Sequence, residues 1–204
     1  MDLSELLRRR RMTRSFTSER IEQAMIDDLC ELALCAPTAG NSAGVRMTTL
    51  AADQVPAYFE VATDAAWRER SPRFAGLARA GAVVIVTSRP QDYFARYAEA
   101  DKSSSRLEDP DAWNVPYWHT DAAMATMSLL LLLEERGLGA TIWGNFRRDA
   151  EVLAWASASD EVLFATVLIG ARDADDRPSS SLARDVPTRR QRVRHVARDD
   201  SGQR

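Results

Sequence analysis

The sequence predicts one mixed α and β domain with a polar C-terminal extension, and three observations carry that reading. Two short apolar runs rich in β-branched residues, 82–86 and 162–169, have the composition of strands buried on both faces. Segments of helical periodicity, above all 18–36 and 120–136, lie between and around them. After Gly170, Asp, Arg, Pro and Ser dominate, a composition that cannot build a core of its own. The expected division is a domain over 1–170 and a tail over 171–204.

The elements follow in chain order. Leu3, Leu6 and Leu7 stand at helical spacing behind Ser4, a candidate cap, so 3–11 reads as a first helix. Ile21, Met25, Leu29 and Leu32 repeat along one stripe of a second helix over 18–36, which Pro37 closes. Residues 46–52 alternate weakly, as a strand does, and 56–67 reads as helical. Pro90 opens a helix through Phe94 and Tyr97. The stretch 99–119 mixes polar turn-formers with Trp113, Tyr117 and Trp118, and a loop of that length inside a compact domain is usually functional or mobile. The helix over 120–136 is apolar nearly all round, so it needs cover on two sides, and Gly137 stops it. A further helix near 149–158 precedes the second buried strand.

Composition narrows the function. The 204 residues are 45% hydrophobic and 28% charged with a formal net charge of −3, which excludes global disorder and argues against a generally basic nucleic-acid binder. Lys102 is the only lysine, so nearly all positive charge is arginine. Cys30 and Cys35 lie five apart on one helix, point to different faces, and suggest no disulfide framework. The longest apolar stretch, 122–133, is too short to span a bilayer, no secretory signal is visible, and a cytoplasmic location is expected.

Several familiar motifs fail on context. Gly40-Asn41-Ser42-Ala43-Gly44 matches G-x-S-x-G, but a helix precedes it and a strand follows, the reverse of a nucleophile elbow. His119 and His195 are the only histidines and stand far apart, so no zinc centre is expected. There is no Walker lysine and no complete dinucleotide fingerprint. What remains is a set of short signals. Arg10-Arg11-Met12-Thr13-Arg14-Ser15-Phe16 gathers guanidinium forks suited to a phosphate. Ala36-Pro37-Thr38-Ala39-Gly40-Asn41 offers small residues, backbone amides and an Asn amide to a planar ligand. The segment 137–146 is punctuated by Gly137, Gly139 and Gly144, and Thr188-Arg189-Arg190 follows in the tail.

In this order the signals resemble the FMN-dependent nitroreductase family, whose members open with an Arg-Arg-Ser-x-Arg-x-Phe type motif and continue with Ala-Pro-Ser-x-x-Asn. The resemblance covers about residues 6–196. Two departures stand out: Met12 replaces the usual serine, and Ser42-Ala43-Gly44-Val45 replaces the usual x-Gln-Pro-Trp after the Asn. The resemblance implies an α+β fold, a nitroreductase-like three-layer α/β/α sandwich in an interlocked homodimer, with the C-terminal extension wrapping the partner subunit. It implies FMN held by Arg10, Arg11, Met12, Arg14, Pro37, Thr38, Asn41, Thr141, Ile142, Trp143, Gly144 and Arg189, with Arg190 the alternative to Arg189. Within that set Arg10, Arg11 and Arg189 would hold the phosphate and ribityl chain, and Arg14 the N1–C2 carbonyl edge. Asn41 would bond the N3/O4 edge, and a backbone N–H near Trp143 or Gly144 would face N5. Trp113, Tyr117 and Trp118 are candidate walls of a substrate pocket, with an ordinary packing role as the competing reading.

The implied activity is transfer of electrons from a nicotinamide or similar hydride donor to a nitroaromatic, quinone or enone acceptor, in ping-pong order. The flavin carries the redox chemistry, so no catalytic side chain and no metal is expected. The alternative is a flavin-sequestering protein with little turnover.

Overall fold

The computed structural model describes residues 2–145 and 147–195. Four strands form one sheet in the order β1-β2-β4-β3, every neighbouring pair antiparallel: β1 (Val45–Ala51), β2 (Ala82–Ser88), β3 (Gly139–Trp143) and β4 (Val162–Gly170). The two strands with continuous apolar runs, β2 and β4, take the two central places. That follows from burial, because only a central strand covered on both faces needs apolar side chains at every position.

The cover is helical on both sides. Ala82, Val84, Val86, Val167 and Ile169 pack under α2 (Gln23–Ala33) and α7 (Tyr117–Glu135), through Ile26, Leu29, Ala33, Ala125, Leu129 and Leu133. Val83, Ile85 and Leu168 face the opposite way, onto α3 (Val55–Ala62), α5 (Phe74–Leu77) and α8 (Asp149–Trp155), through Val55, Tyr58, Phe59, Leu77 and Val152. The period-2 alternation of β2 thus feeds two separate cores. The architecture is the α+β, three-layer α/β/α arrangement that the family resemblance implies.

Differences from the sequence reading have local causes. The second helix spans 23–33 and not 18–36, because Phe16 bridges Arg172 and the Thr17 amide donates to the Ala171 carbonyl (3.0 Å), which keeps the approach extended. The helix expected over 56–67 is two, α3 and α4 (Ala65–Arg70). Asp64 breaks it, accepting from the Trp67 amide (2.7 Å) as a new N-cap. The long helix begins three residues earlier than expected, at Tyr117, and ends as predicted at Gly137, whose φ of 76° is the left-handed value a C-terminal cap favours. Cys30 is buried and Cys35 exposed, both free. Burial pushes the Cys30 thiol up to about 12, with Asp27 adding to the shift.

The outer side of α7 leaves Met124 exposed, and Leu7 of α1 (Leu3–Arg9) and Leu32 of α2 are exposed as well. Beyond Gly170, residues 171–176 pack on their own chain, whereas 180–195 are exposed throughout. Among the described residues no helix is long and apolar enough to cross a membrane.

Candidate functional site

The site is built at the free edge of β3. After α1 the chain turns at Arg10 and runs alongside β3: Met12 bridges Ala140 in parallel, and the Thr13 amide donates to the Ala140 carbonyl (2.9 Å). Two glycines opposite one another in the β3–β4 register, Gly139 and Gly170, allow that approach. A Cβ on Gly139 would come within 2.7 Å of the Thr13 hydroxyl, and one on Gly170 within 2.7 Å of the Phe16 ring. Phe16 is fully buried, so the aromatic at the end of the arginine motif anchors the whole segment in the core.

This path brings Arg14 to the side of β3. A cavity of about 130 Å³ is lined by Arg14, Trp67, Ser71, Arg73, Leu77, Thr141, Ile142 and Trp143. A larger one of about 410 Å³ shares Arg14 and Arg73 and continues past Ser15 and Gly76 to the tail residues 175–178 and Ser180. Four predicted residues, Arg14, Thr141, Ile142 and Trp143, therefore meet around one space, and Gly144 follows directly in the chain. Arg73, Trp67 and Ser71 complete the wall and were not legible as site residues. Trp67 stands on α4 and Ser71 and Arg73 in the connection to α5, whose sequence reads as an ordinary polar turn. Burial and the neighbouring Arg73 guanidinium both lower the Arg14 pKa, while Asp176 opposes them.

Along residues 10–13 and at the end of β3, several buried donors lack acceptors. Arg10 Nε and Nη1, Thr13 Oγ1 and Trp143 Nε1 are buried with no hydrogen-bond partner among the described residues. Buried donors left unpaired are costly and call for a partner. Arg11, by contrast, is exposed and turns back on the carbonyls of Arg8, Arg9 and Arg10. Met12 is half-buried and packs against the α2–α7 core.

Acidic residues of the tail lock the same segment from outside. Asp176 Oδ1 accepts from the Arg14 amide (2.8 Å) and the Ser15 amide (3.0 Å). Asp173 accepts from Ser15 Oγ (3.1 Å) and pairs with Arg79. Its carboxyl is lowered, first by the Asp175 amide and then by Ser15.

The other predicted cluster lies elsewhere. Thr38 and Asn41 belong to the turn before β1, at the edge opposite β3; three strand spacings, about 14 Å, separate those edges. Asn41 is exposed with φ 57°, next to Gly40 at 63°, a left-handed pair that presents the Asn side chain on a tight, well-held loop. Asp121, buried on α7, accepts from the Ala39 amide (2.8 Å) and from Tyr93 Oη (2.9 Å), and Arg96 Nε donates to the Gly40 carbonyl (2.8 Å). Burial and Asp121 together push the Tyr93 hydroxyl far up. Pro37 is exposed beside this turn. Ser42 Oγ donates to the Ala39 carbonyl (2.5 Å), a local bond that occupies the serine of the G-x-S-x-G match.

Trp113, Tyr117 and Trp118 gather with Tyr93, Phe94 and Tyr97 of α6 (Pro90–Tyr97) in edge-on contacts, Trp113 to Tyr97 at 5.0 Å. Gly40 approaches Tyr97 closely, so these aromatics flank the Asn41 turn and not the Arg14 cavity. His119 lies beside Phe164, and burial lowers its pKa. Arg189 and Arg190 are exposed on the tail, where Arg189 precedes the short turn Arg190–Arg192.

The tail contact carries a measurable consequence. Asp176→Ala should leave two part-buried amides unpaired and cost about 1–3 kcal/mol in urea unfolding, whereas Asp176→Asn, which keeps an acceptor oxygen, should cost less.

Comparison with known proteins adds the relationship. The model of the nitroreductase family matches residues 7–171. The fold is similar to that of nitroreductase CinD from Lactococcus lactis in complex with nicotinic acid (TM-score 0.70, 16% identity, 92% of this chain and 100% of that one). It is similar to a nitroreductase family protein from Streptococcus pneumoniae (TM-score 0.64, 20% identity, 91% and 96% covered). A third similar structure is a nitroreductase-type protein from Desulfovibrio desulfuricans in complex with FMN (TM-score 0.61, 18% identity, 92% and 98% covered). No curated protein matches the sequence.

Proposed function

The chain belongs to the nitroreductase family, and from that premise we propose that it is an FMN-dependent oxidoreductase carrying electrons from a nicotinamide donor to a nitroaromatic, quinone or enone-type acceptor. One observation carries the reading: Arg14 lines one cavity with Thr141, Ile142 and Trp143, three consecutive strand residues distant from it in sequence, and Trp143 Nε1 and the neighbouring Thr13 Oγ1 are buried with no partner among the described residues.

Those donors fit FMN. Its phosphate and pyrimidine carbonyls supply acceptors, and the buried Arg10 nitrogens, unpaired among the described residues, suit a phosphate monoester. In this reading Arg10 and Arg11 hold the phosphate. Arg14, with Arg73 beside it, faces the carbonyl edge of the ring, and the strand Thr141–Trp143 with Gly144 lies along it. Bound FMN supplies the redox step by accepting and releasing hydride at N5. The side chains bind, orient and tune; none needs to act as acid, base or nucleophile. A fixed cation at Arg14 favours the more negative, reduced form of the ring.

The opposite-edge position of Asn41 makes a homodimer part of the proposal. A second copy brings its Asn41 turn, with Pro37, Thr38 and the Trp113–Tyr117–Trp118 aromatics, to the Arg14 cavity of the first. The exposed apolar side of α7 around Met124 supplies the contact, and the exposed stretch 180–195 of the tail, with Arg189 or Arg190, reaches across to the partner. A location in the cytoplasm is consistent with the free thiols.

Three outcomes are expected. Fluorescence titration should show FMN binding more than about tenfold tighter than riboflavin, because a charge-assisted phosphate contact contributes about 1.5–3 kcal/mol, and Arg10→Met should erase most of that preference. Equal affinities in the wild type would remove the phosphate assignment. Arg14→Met should retain FMN but lower its midpoint potential by about 20–45 mV, the equivalent of a loss of about 1–2 kcal/mol for a two-electron couple. A potential that does not move, with FMN shed instead, would make Arg14 a phosphate ligand. Light scattering should give a dimer for the wild type and a folded monomer for Met124→Asp.

A further inference from the structure

Behind the cavity wall lies a buried polar cluster that touches none of the groups assigned to the cofactor's phosphate. Where β3 ends and the chain leaves the sheet, Asn145 turns its side chain inward and is buried. Its Nδ2 donates to Tyr58 Oη (3.1 Å), and its Oδ1 accepts from Thr166 Oγ1 (3.1 Å). The Tyr58 hydroxyl is also 3.3 Å from Oδ1. Tyr58 and Thr166 are both fully buried. Thr166 on β4 is the register partner of Trp143, so the cluster lies beside the last paired residue of β3. The next residue of α3, Phe59, meets the Trp143 indole edge-on at 6.3 Å. Two consecutive residues of one helix thus hold the cavity-lining indole and the loop behind it. The Asn145 carbonyl also accepts from the Arg148 amide (3.2 Å), which fixes the turn out of the strand.

Such a cluster is expensive in an otherwise apolar layer. Each of its groups must be desolvated, and an apolar replacement of similar shape can serve stability equally well. What directional bonds add is a fixed geometry. They set the position and peptide orientation of Trp143, Gly144 and Asn145 to within hydrogen-bond tolerance, which dispersion contacts alone do not. Burial holds the Tyr58 hydroxyl up to about 12, so it stays a neutral donor at any pH where the protein would work.

We propose that Asn145, locked by Tyr58 and Thr166, is a positioning residue that sets the Trp143–Gly144 backbone against the flavin ring. The inference rests on the proposed function, in which this backbone faces the cofactor. Asn145 touches neither substrate nor phosphate, so its loss should affect the reduction step and leave cofactor retention to the arginines.

Tyr58→Phe and Thr166→Val each delete one hydroxyl at nearly constant shape, and Thr166→Ser keeps the hydroxyl. Three measurements on the purified full-length proteins test the idea: amide hydrogen exchange of the peptide covering 141–145 without FMN, visible circular dichroism and affinity of added FMN, and the anaerobic rate of flavin reduction by NADH or NADPH. In both deletion variants the peptide should exchange faster and the flavin dichroism should change. FMN affinity should stay within about threefold, and reduction should slow by about tenfold or more, since an ångström-scale misplacement can cost about a hundredfold. Thr166→Ser should recover most of the rate. Faster exchange with unchanged dichroism and unchanged reduction would reduce the cluster to a support of the fold and overturn the proposal. Unchanged exchange would show that the cluster does not hold the loop and would overturn it equally. A wild type that takes up no FMN at all would instead sink the functional reading, and this inference with it, before any variant is compared.

Discussion

The arrangement of the site depends on one close contact, the docking of residues 12–16 against the free edge of β3 and the end of β4. Two glycines in register, Gly139 and Gly170, leave room for Thr13 and for the buried ring of Phe16. Without that room the segment would stand off the sheet, the Thr13–Ala140 bond would be lost, and Arg14 would not reach the cavity. An apolar anchor at Phe16 therefore holds a charged neighbour two residues away. Hydrophobic burial supplies the free energy, and the guanidinium inherits a fixed position.

The same contact explains why the tail is acidic just where it leaves the sheet. Asp173 and Asp176 arrive at the outer side of the segment and take up its backbone amides and the Ser15 hydroxyl. Arg172 pairs with Glu134, which is buried near the end of α7, so the charge is not stranded. These bonds hold the first residues of the tail to the body of their own chain. The stretch from 180 to 195 is exposed and, among the described residues, has no comparable set of partners there. The boundary at Gly170 is thus a change of composition and not a break in packing.

Two loops at opposite edges of the sheet are each held from behind by a buried polar side chain. Asn145 stands behind the end of β3, and Asp121 stands behind the Asn41 turn. Both loops leave the sheet where backbone groups are no longer paired in the ladder. A side-chain bond replaces the ladder there and keeps the backbone rigid. In a protein whose redox chemistry is lent by a ligand, this rigidity is what the polypeptide has to contribute.

The sequence by itself determined the central strands, the long helix and the order of the motifs. β2 and β4 are legible because β-branched apolar runs have few other uses, and α7 because 122–133 is apolar nearly all round, although its first turn from Tyr117 is not. The resemblance of the arginine and Pro-Thr-x-x-Asn segments to known motifs identified the family. Tertiary structure alone decided the rest. β3 is five residues between glycines, too short for a period, and exists because β4 offers it an edge. Trp67 of α4 and Arg73 of the connection after it joined the cavity wall only when the chain folded beside Arg14. Asn41, adjacent to the arginine motif in family order, came to lie at the far edge of the sheet. Strand order and side-chain placement are set by pairings between residues distant in the chain, and local sequence pattern carries no record of which distant partner will win.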